Sequence, residues 1–351
     1  MISAPKKERA IAVWLFIICA MIFAMVLLGG VTRLTHSGLS MVEWRPLFGI
    51  LPPIGEAAWQ LVFEQYQQYP EYQKINFTMT QAEFKRIFLF EYSHRVLGRA
   101  IGVVFAVPFL YFLLRRRISW RLAPRLGVMF VLGGLQGLLG WYMVQSGLVD
   151  RPDVSAYRLT AHLGLAVLIY GYIFWTALGL LAPQPQPQPQ PQQASGDSGW
   201  RLGRIGAPVL TALVFLTLLS GGFVAGNDAG LAYNSFPLMD GRFVPEDIFR
   251  LEPWWRNFFE NLPLVQLDHR LLALLTVFAT LALWLAGLRA PLGAGARQAF
   301  HVWAAMVMLQ LGLGIATLLL FVPVPLGAAH QAGALLTFSA ALWSSHALRR
   351  E

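Results

Sequence analysis

Glu91-Tyr92-Ser93-His94-Arg95-Val96-Leu97-Gly98-Arg99 puts a histidine–arginine pair where a charged loop enters an apolar run that continues to about residue 113. A second pair, in Gln266-Leu267-Asp268-His269-Arg270-Leu271-Leu272, opens another apolar run 175 residues later (269 − 94). An ionisable residue inside a membrane span is costly, so it is read first as functional. Two such pairs at matching helix starts read as two copies of one site.

Outward from these stretches the apolar runs recur. The chain has 351 residues, 56% of them hydrophobic and 13% charged, far from the balance of a globular protein. Eight apolar segments account for this, at about 11–31, 88–113, 126–145, 159–181, 207–226, 265–288, 298–320 and 328–347. Most reach the ~20 residues that a bilayer crossing requires. The expected fold is an all-α polytopic membrane protein with eight transmembrane helices.

The net charge of +9 is distributed in a way that excludes a nucleic-acid partner. Lys6, Lys7, Arg9, Arg115 to Arg117, Arg121, Arg125, Arg201, Arg204, Arg289, Arg297, Arg349 and Arg350 gather on one side, opposed there only by Glu8, Asp197 and Glu351. Positive charge stays inside, so both termini are expected in the cytoplasm and the protein in a cell inner membrane, in contact with lipid. The single cysteine, Cys19, allows no intrachain disulfide. Gly29-Gly30-Val31-Thr32-Arg33 ends the first run without a small-residue cleavage pattern, so that run reads as a retained helix.

Pro183-Gln184-Pro185-Gln186-Pro187-Gln188-Pro189-Gln190-Pro191 cannot form a core and reads as an extended cytoplasmic linker. It divides the chain into an N-terminal half (1–182), a linker (183–200) and a C-terminal half (201–351). The outer loops, 32–87 and 227–263, carry interface aromatics such as Trp44, Trp59, Trp254 and Trp255, and 56–68 reads as a short amphipathic helix. Gly133, Gly134, Gly137 and Gly140 in the third span predict close helix packing.

The halves correspond. Gly29-Gly30 and Gly38-Leu39 match Gly221-Gly222 and Gly230-Leu231 at an offset of 192 (221 − 29). Leu135-Gln136 matches Leu309-Gln310 at 174 (309 − 135), and Thr160-Ala161-His162 matches Ala328-Ala329-His330 at 168 (330 − 162). An offset that shrinks stepwise is what unequal loops produce. The reading is two repeat-related four-helix bundles with the same membrane orientation, since four spans is an even number.

His94, His162, His269 and His330 fall near the outer ends of spans two, four, six and eight; His36, His301 and His346 lack such partners. A lone membrane histidine usually serves as helix glue. Four at repeat-related positions suggest instead two pairs, each holding a planar macrocycle through both axial positions, as bundles and haem irons commonly allow. Zinc would want a tetrahedral set with Cys or carboxylate nearby. Arg95 and Arg270 either grip the macrocycle's carboxylates or snorkel to the interface.

The halves differ at one position. Glu91 lies three residues before His94 on one helical face, whereas the residue three before His269 is Gln266. A carboxylate beside a cofactor can move protons. This suggests a catalytic N-terminal half and a C-terminal half with a permanent cofactor; the competing reading of Glu91 is an exposed acid at a helix start.

Glu91-Tyr92-Ser93-His94-Arg95, the turn from Gly29 to Ser40 and Glu43-Trp44 resemble the haem A synthase family in its larger, proteobacterial and mitochondrial type. So do Tyr233-Asn234-Ser235-Phe236-Pro237-Leu238-Met239 and Val265-Gln266-Leu267-Asp268-His269-Arg270. The likeness covers roughly 11–347; Asn227-Asp228 departs from the more apolar pairing expected there. The resemblance implies oxidation of the C8 methyl of haem O to a formyl group, by successive hydroxylations through a gem-diol that loses water. It implies haem b as cofactor on the iron ligands His269 and His330. It also implies that His94 and His162 ligate the substrate haem, with Glu91 the acidic residue of that site. Haem O synthase is the expected supplier of substrate, the electron acceptor is unspecified, and a homo-oligomer is compatible with the pattern. The smaller family type has a loop cysteine pair; this chain lacks one, which excludes a thiol-based step.

Two other classes remain open. A bis-His b-type cytochrome carrying electrons between quinone and a partner would not need Glu91. A transporter is permitted by the parallel repeat, but transporters favour broken helices around a midplane site, and here the polar residues cluster at one face.

Overall fold

A computed structural model describes residues 6–43, 51–149, 152–181 and 200–349. Trp44 and the Pro–Gln linker fall outside these residues. The described chain is helical: α1 (Lys6–Leu34), α2 (Glu56–Gln67), α3 (Pro70–Lys74), α4 (Gln81–Leu114), α5 (Ala123–Gln145), α6 (Ala156–Leu181), α7 (Arg201–Gly226), α8 (Asn257–Glu260), α9 (Leu262–Leu288), α10 (Ala294–Leu319) and α11 (Val324–Leu348). Short 3₁₀ turns at Ala229–Leu231 and Trp254–Arg256 interrupt the second outer loop.

Seven helices among the described residues are long and apolar enough to cross a membrane: α1, α4, α5, α6, α7, α9 and α10. The expected eighth, α11, has the length, at 25 residues, but not the apolarity. The reason lies in its partners. Thr337 and Ser344 bond back to the carbonyls of Gly333 and Ala340, Ser339 meets Tyr170, Ser345 meets Thr211, and Gln331 donates to Val26 O. Its polar groups are satisfied by α1, α6 and α7 or by its own backbone, and α11 packs against α1, α6, α7 and α10.

The remaining contacts close two circuits. α1 touches α4 and α6, and α5 touches α4 and α6; α7 touches α9 and α11, and α10 touches α9 and α11. α6 and α11 lie against each other along the seam. Glycines let the seam close. A side chain at Gly30 on α1 would overlap Gln331 of α11, and one at Gly222 on α7 would press on Thr160 of α6. A single apolar core, including Leu15, Ile18, Leu126, Val167, Trp303 and Leu335, runs through both circuits.

α4 begins earlier than the hydropathy pattern suggests. Thr80 accepts from the N–H of Glu83 while the Glu83 carboxylate accepts from Thr80, a capping box that starts the helix at Gln81. Its first turns rise out of the apolar run and carry the cap over the N-terminal half. There Phe63, Tyr66, Phe84 and Phe88 bury one another with Trp59 and Tyr72 packed around them. Tyr66 and Phe84 stack with 5.0 Å between ring centres. Each such burial contributes about 1.5–3 kcal/mol, which secures a helix end that would otherwise be solvated.

The glycines of α5 do not behave as expected. Gly133, Gly134 and Gly137 face open space rather than a neighbouring helix; only Gly140 meets a side chain, that of His162.

Candidate functional site

Each of the four histidines lies against a glycine of the next helix. A Cβ on Gly29 (α1) would stand 3.0 Å from His94 Cε1, one on Gly140 (α5) 2.9 Å from His162 Cε1, one on Gly221 (α7) 3.1 Å from His269 Cε1, and one on Gly314 (α10) 2.9 Å from His330 Cε1. The pairing repeats at the sequence offsets, 192 for the first glycine and 174 for the second (314 − 140). A larger residue would push the ring off its line.

The rings of His269 and His330 stand 6.4 Å apart, centre to centre, and perpendicular. That span suits one metal between them: two metal–nitrogen bonds of about 2 Å each plus two ring half-widths. Perpendicular imidazoles can both stand on one planar macrocycle. His94 and His162 lie within electrostatic reach of each other. Among the described residues no three metal-binding side chains gather at one point; the histidines come in pairs.

Second-line contacts orient the rings. The Ser220 hydroxyl lies 2.8 Å from His269 Nδ1, leaving Nε2 for a ligand. The side-chain amide of Gln310 stands 3.1 Å from His330 Nδ1 and 2.9 Å from its carbonyl oxygen. Gln136 repeats both distances at His162. Among the described residues His94 has no such companion: its Nδ1 is buried without a hydrogen-bond partner there. In the sequence Gln136 and Gln310 stand out only as repeat markers, not as partners of the rings. The signal was present in the spacing, since Gln136 and Gly140, like Gln310 and Gly314, lie four apart on one helix face.

Glu91 is not an acid at a helix start. It lies ten residues inside α4 (91 − 81), 4% exposed. Its Oε2 accepts from the Ser40 hydroxyl at 2.8 Å and from the Met41 N–H at 2.7 Å, and its Oε1 accepts from Arg95 Nη2 at 2.5 Å. A carboxylate offers about four acceptor positions, so one remains. Arg95 also donates to the carbonyls of Met41 and Glu43 at 2.8 Å each. The C-terminal half repeats the arrangement without the charge. Gln266 donates to Ala229 O at 2.6 Å and accepts from Arg270 at 2.8 Å, and Arg270 also donates to Tyr233 O at 3.0 Å. Both arginines thus pin an outer loop to the histidine helix, a use that neither sequence-based reading foresaw. Among the described residues one buried donor of Arg270, Nε, has no partner.

The unexpected Asn227-Asp228 has a use as well. Asn227 donates to the carbonyls of Phe223 and Phe259, and Asp228 accepts from Arg33 at 2.8 Å, tying the end of α7 to the end of α1. Of the other histidines, His301 accepts from Trp284 Nε1 at 3.0 Å and His346 packs edge-on to Trp175, both away from the paired site.

A family model described as "Cytochrome oxidase assembly protein", COX15-CtaA, matches residues 12–342. A protein of Nitrosospira multiformis named Heme A synthase is 54% identical over 98% of this chain and 95% of its own length. Heme A synthase COX15 of Bos taurus is 45% identical over 99% of this chain and 85% of its own, and its namesake in Arabidopsis thaliana 44% over 99% and 76%. With a match over nearly its whole length, the chain belongs to the COX15-CtaA family of cytochrome oxidase assembly proteins.

Proposed function

We propose that this chain is an oxidoreductase that converts haem O to haem A by oxidising the C8 methyl to a formyl group. The observation that carries the reading is the repeated histidine pair, each ring seated on a glycine, in a chain whose relatives at about half identity are named for that reaction. In the proposed architecture eight membrane helices, α11 included, form two repeat-related four-helix bundles. The closed contact circuits and the shared offsets support this. Both termini face the cytoplasm of a cell inner membrane, supported by the charge distribution.

The halves divide the work. His269 and His330 hold haem b in the C-terminal half; their 6.4 Å ring spacing, the Ser220 contact and the orphaned Nε of Arg270 near the outer face suit an iron macrocycle with carboxylates. Bound there, haem b supplies one-electron redox chemistry. His94 and His162 hold the substrate haem, which a haem O synthase delivers, and electrons leave to an acceptor the sequence does not name. Glu91, on the same face as His94, accepts a proton on its free position as the methyl is oxidised. Arg95 and the Ser40–Met41 turn hold that carboxylate in place. A homo-oligomer is compatible with this arrangement.

The test is extraction of haems from cells expressing the chain with a haem O source. Haem A is expected, together with one bound haem b per chain. Haem O that passes through unchanged, with the haem spectrum intact, would instead make the protein an electron carrier.

A further inference from the structure

The helix ends opposite the paired histidines enclose a cavity of about 740 Å³. Five cations from four segments border it: Lys7 at the start of α1, Arg117 and Arg121 in the α4–α5 turn, Arg125 in the first turn of α5 and Arg349 just past α11. Among the described residues a single carboxylate, Glu8, lines it. Among the described residues none of the five forms an ion pair. Instead three lie over aromatic rings, Arg117 on Tyr111 at 5.5 Å, Arg121 on Trp120 at 5.2 Å and Arg349 on Trp175 at 5.5 Å.

Excess positive charge is general to this face of the chain, and here it converges on one cavity. At the matching end of the C-terminal half the space is filled. Trp200 lies across Gly203 and Gly287, so close that a Cβ on Gly203 would stand 2.1 Å from its ring, and it meets Phe300 edge-on at 5.4 Å. Five convergent cations beside one carboxylate leave a net positive charge, so the arrangement favours an anion.

The surroundings indicate what kind. In the same turn as the arginines, Leu114 and Trp120 are 80% and 79% exposed. An apolar residue and an interfacial tryptophan beside a basic concavity match a headgroup site rather than a site for a soluble ion. We propose that this cavity binds the phosphate of an anionic phospholipid, whose acyl chains lie against Leu114 and Trp120. The proposal is independent of the reaction assigned to the histidines.

Native mass spectrometry of the detergent-purified chain tests it, with phosphatidylglycerol, phosphatidylcholine or inorganic phosphate added. Each cation near an anionic headgroup is worth about a five-fold change in affinity. Phosphatidylglycerol is expected to stay bound while phosphatidylcholine and inorganic phosphate leave. The triple variant Arg117→Gln/Arg121→Gln/Arg125→Gln should lower its affinity about 100-fold. Arg201→Gln/Arg204→Gln, in the plugged half, should leave it unchanged. Helical circular dichroism reports folding; if the triple variant is unfolded, Arg121→Gln alone, at an exposed position, should still show about a five-fold loss. Equal retention of phosphatidylglycerol by the arginine variants, equal retention of phosphatidylcholine, or retention of inorganic phosphate without lipid would each overturn the proposal.

Discussion

In the C-terminal half, the Ser220 hydroxyl stands 2.8 Å from His269 Nδ1. At the corresponding position of the N-terminal half (220 − 192) the residue is Leu28, and His94 Nδ1 is buried without a partner. The same contrast appears one turn before each histidine, where Glu91 replaces the neutral Gln266. It extends to the cover: only 11% of the apolar stretch of α4 and 6% of that of α5 are buried, against 28% and 22% for α9 and α10. One copy of the unit is fixed and closed; the other is charged, less tightly held and open along α5. A ligand that must stay needs the first, and a ligand that must arrive, react and leave needs the second.

The largest effect that would sharpen this contrast is at the fixed ligands. His269→Ala or His330→Ala should remove or convert the low-spin b-type absorption of the purified protein, since one imidazole cannot fill both axial positions. An unchanged low-spin spectrum in both variants would break the assignment of the closed half.

Glu91→Gln comes next. Gln266 shows that an amide can hold the arginine at this site, so the fold should survive. The N–H of Met41 would face an amide NH₂, at a local cost of about 1–3 kcal/mol. Loss of general-base help is expected to lower haem A formation about 100- to 10,000-fold, with material stalled at the alcohol. Chromatography of extracted haem O, the hydroxymethyl intermediate and haem A checks it; normal haem A would leave Glu91 a loop anchor.

Exchange of the second-line residues should give a smaller change. Ser220→Ala is expected to weaken retention of the resident haem about 10- to 100-fold, measured as its transfer rate to an apo-haem acceptor protein. Leu28→Ser should slow release from the open half. Equal rates in wild type and both variants would mean that Nδ1 contacts do not separate the copies.

The smallest effect lies in the cap. Glu71, 5% exposed, accepts from Tyr66 at 2.9 Å, and burial pushes its carboxyl up from 4.5 to about 7. The folded cap therefore holds a proton that the unfolded chain releases between about pH 4.5 and 7. Stability from this source is complete below that window, falls across it and is lost above it. Hydrogen exchange in α2 and α3 should show protection declining from pH 5 to 7, and Glu71→Gln should flatten the decline. A decline of equal slope in the variant would assign it to another group.

Much of this was legible in the sequence. Seven long apolar helices and the four histidines on them or beside them follow from hydropathy and spacing, because a membrane span must be long and apolar and an ionisable residue within it stands out. The start of α4 was not legible, because its first turns are held by a capping box and an aromatic cap rather than by apolarity. α11 falls short of the apolarity of the other seven long helices, its serines and threonines being satisfied by its own backbone and by α6 and α7. The engagement of Arg95 with Glu91 and the loop carbonyls could not be read either. The Met41 and Glu43 acceptors are backbone atoms, and these leave no mark on a sequence pattern.

On the proposed division of the halves, the two histidine pairs hold different haems. The most direct measurement is quantitative mass spectrometry of haems extracted from purified His94→Ala and His162→Ala proteins, co-expressed with a haem O source. The account predicts about one haem b per chain, as in wild type, and no haem A. Loss of haem b from these variants, in protein that keeps its helical circular dichroism, would contradict it and exchange the roles of the halves.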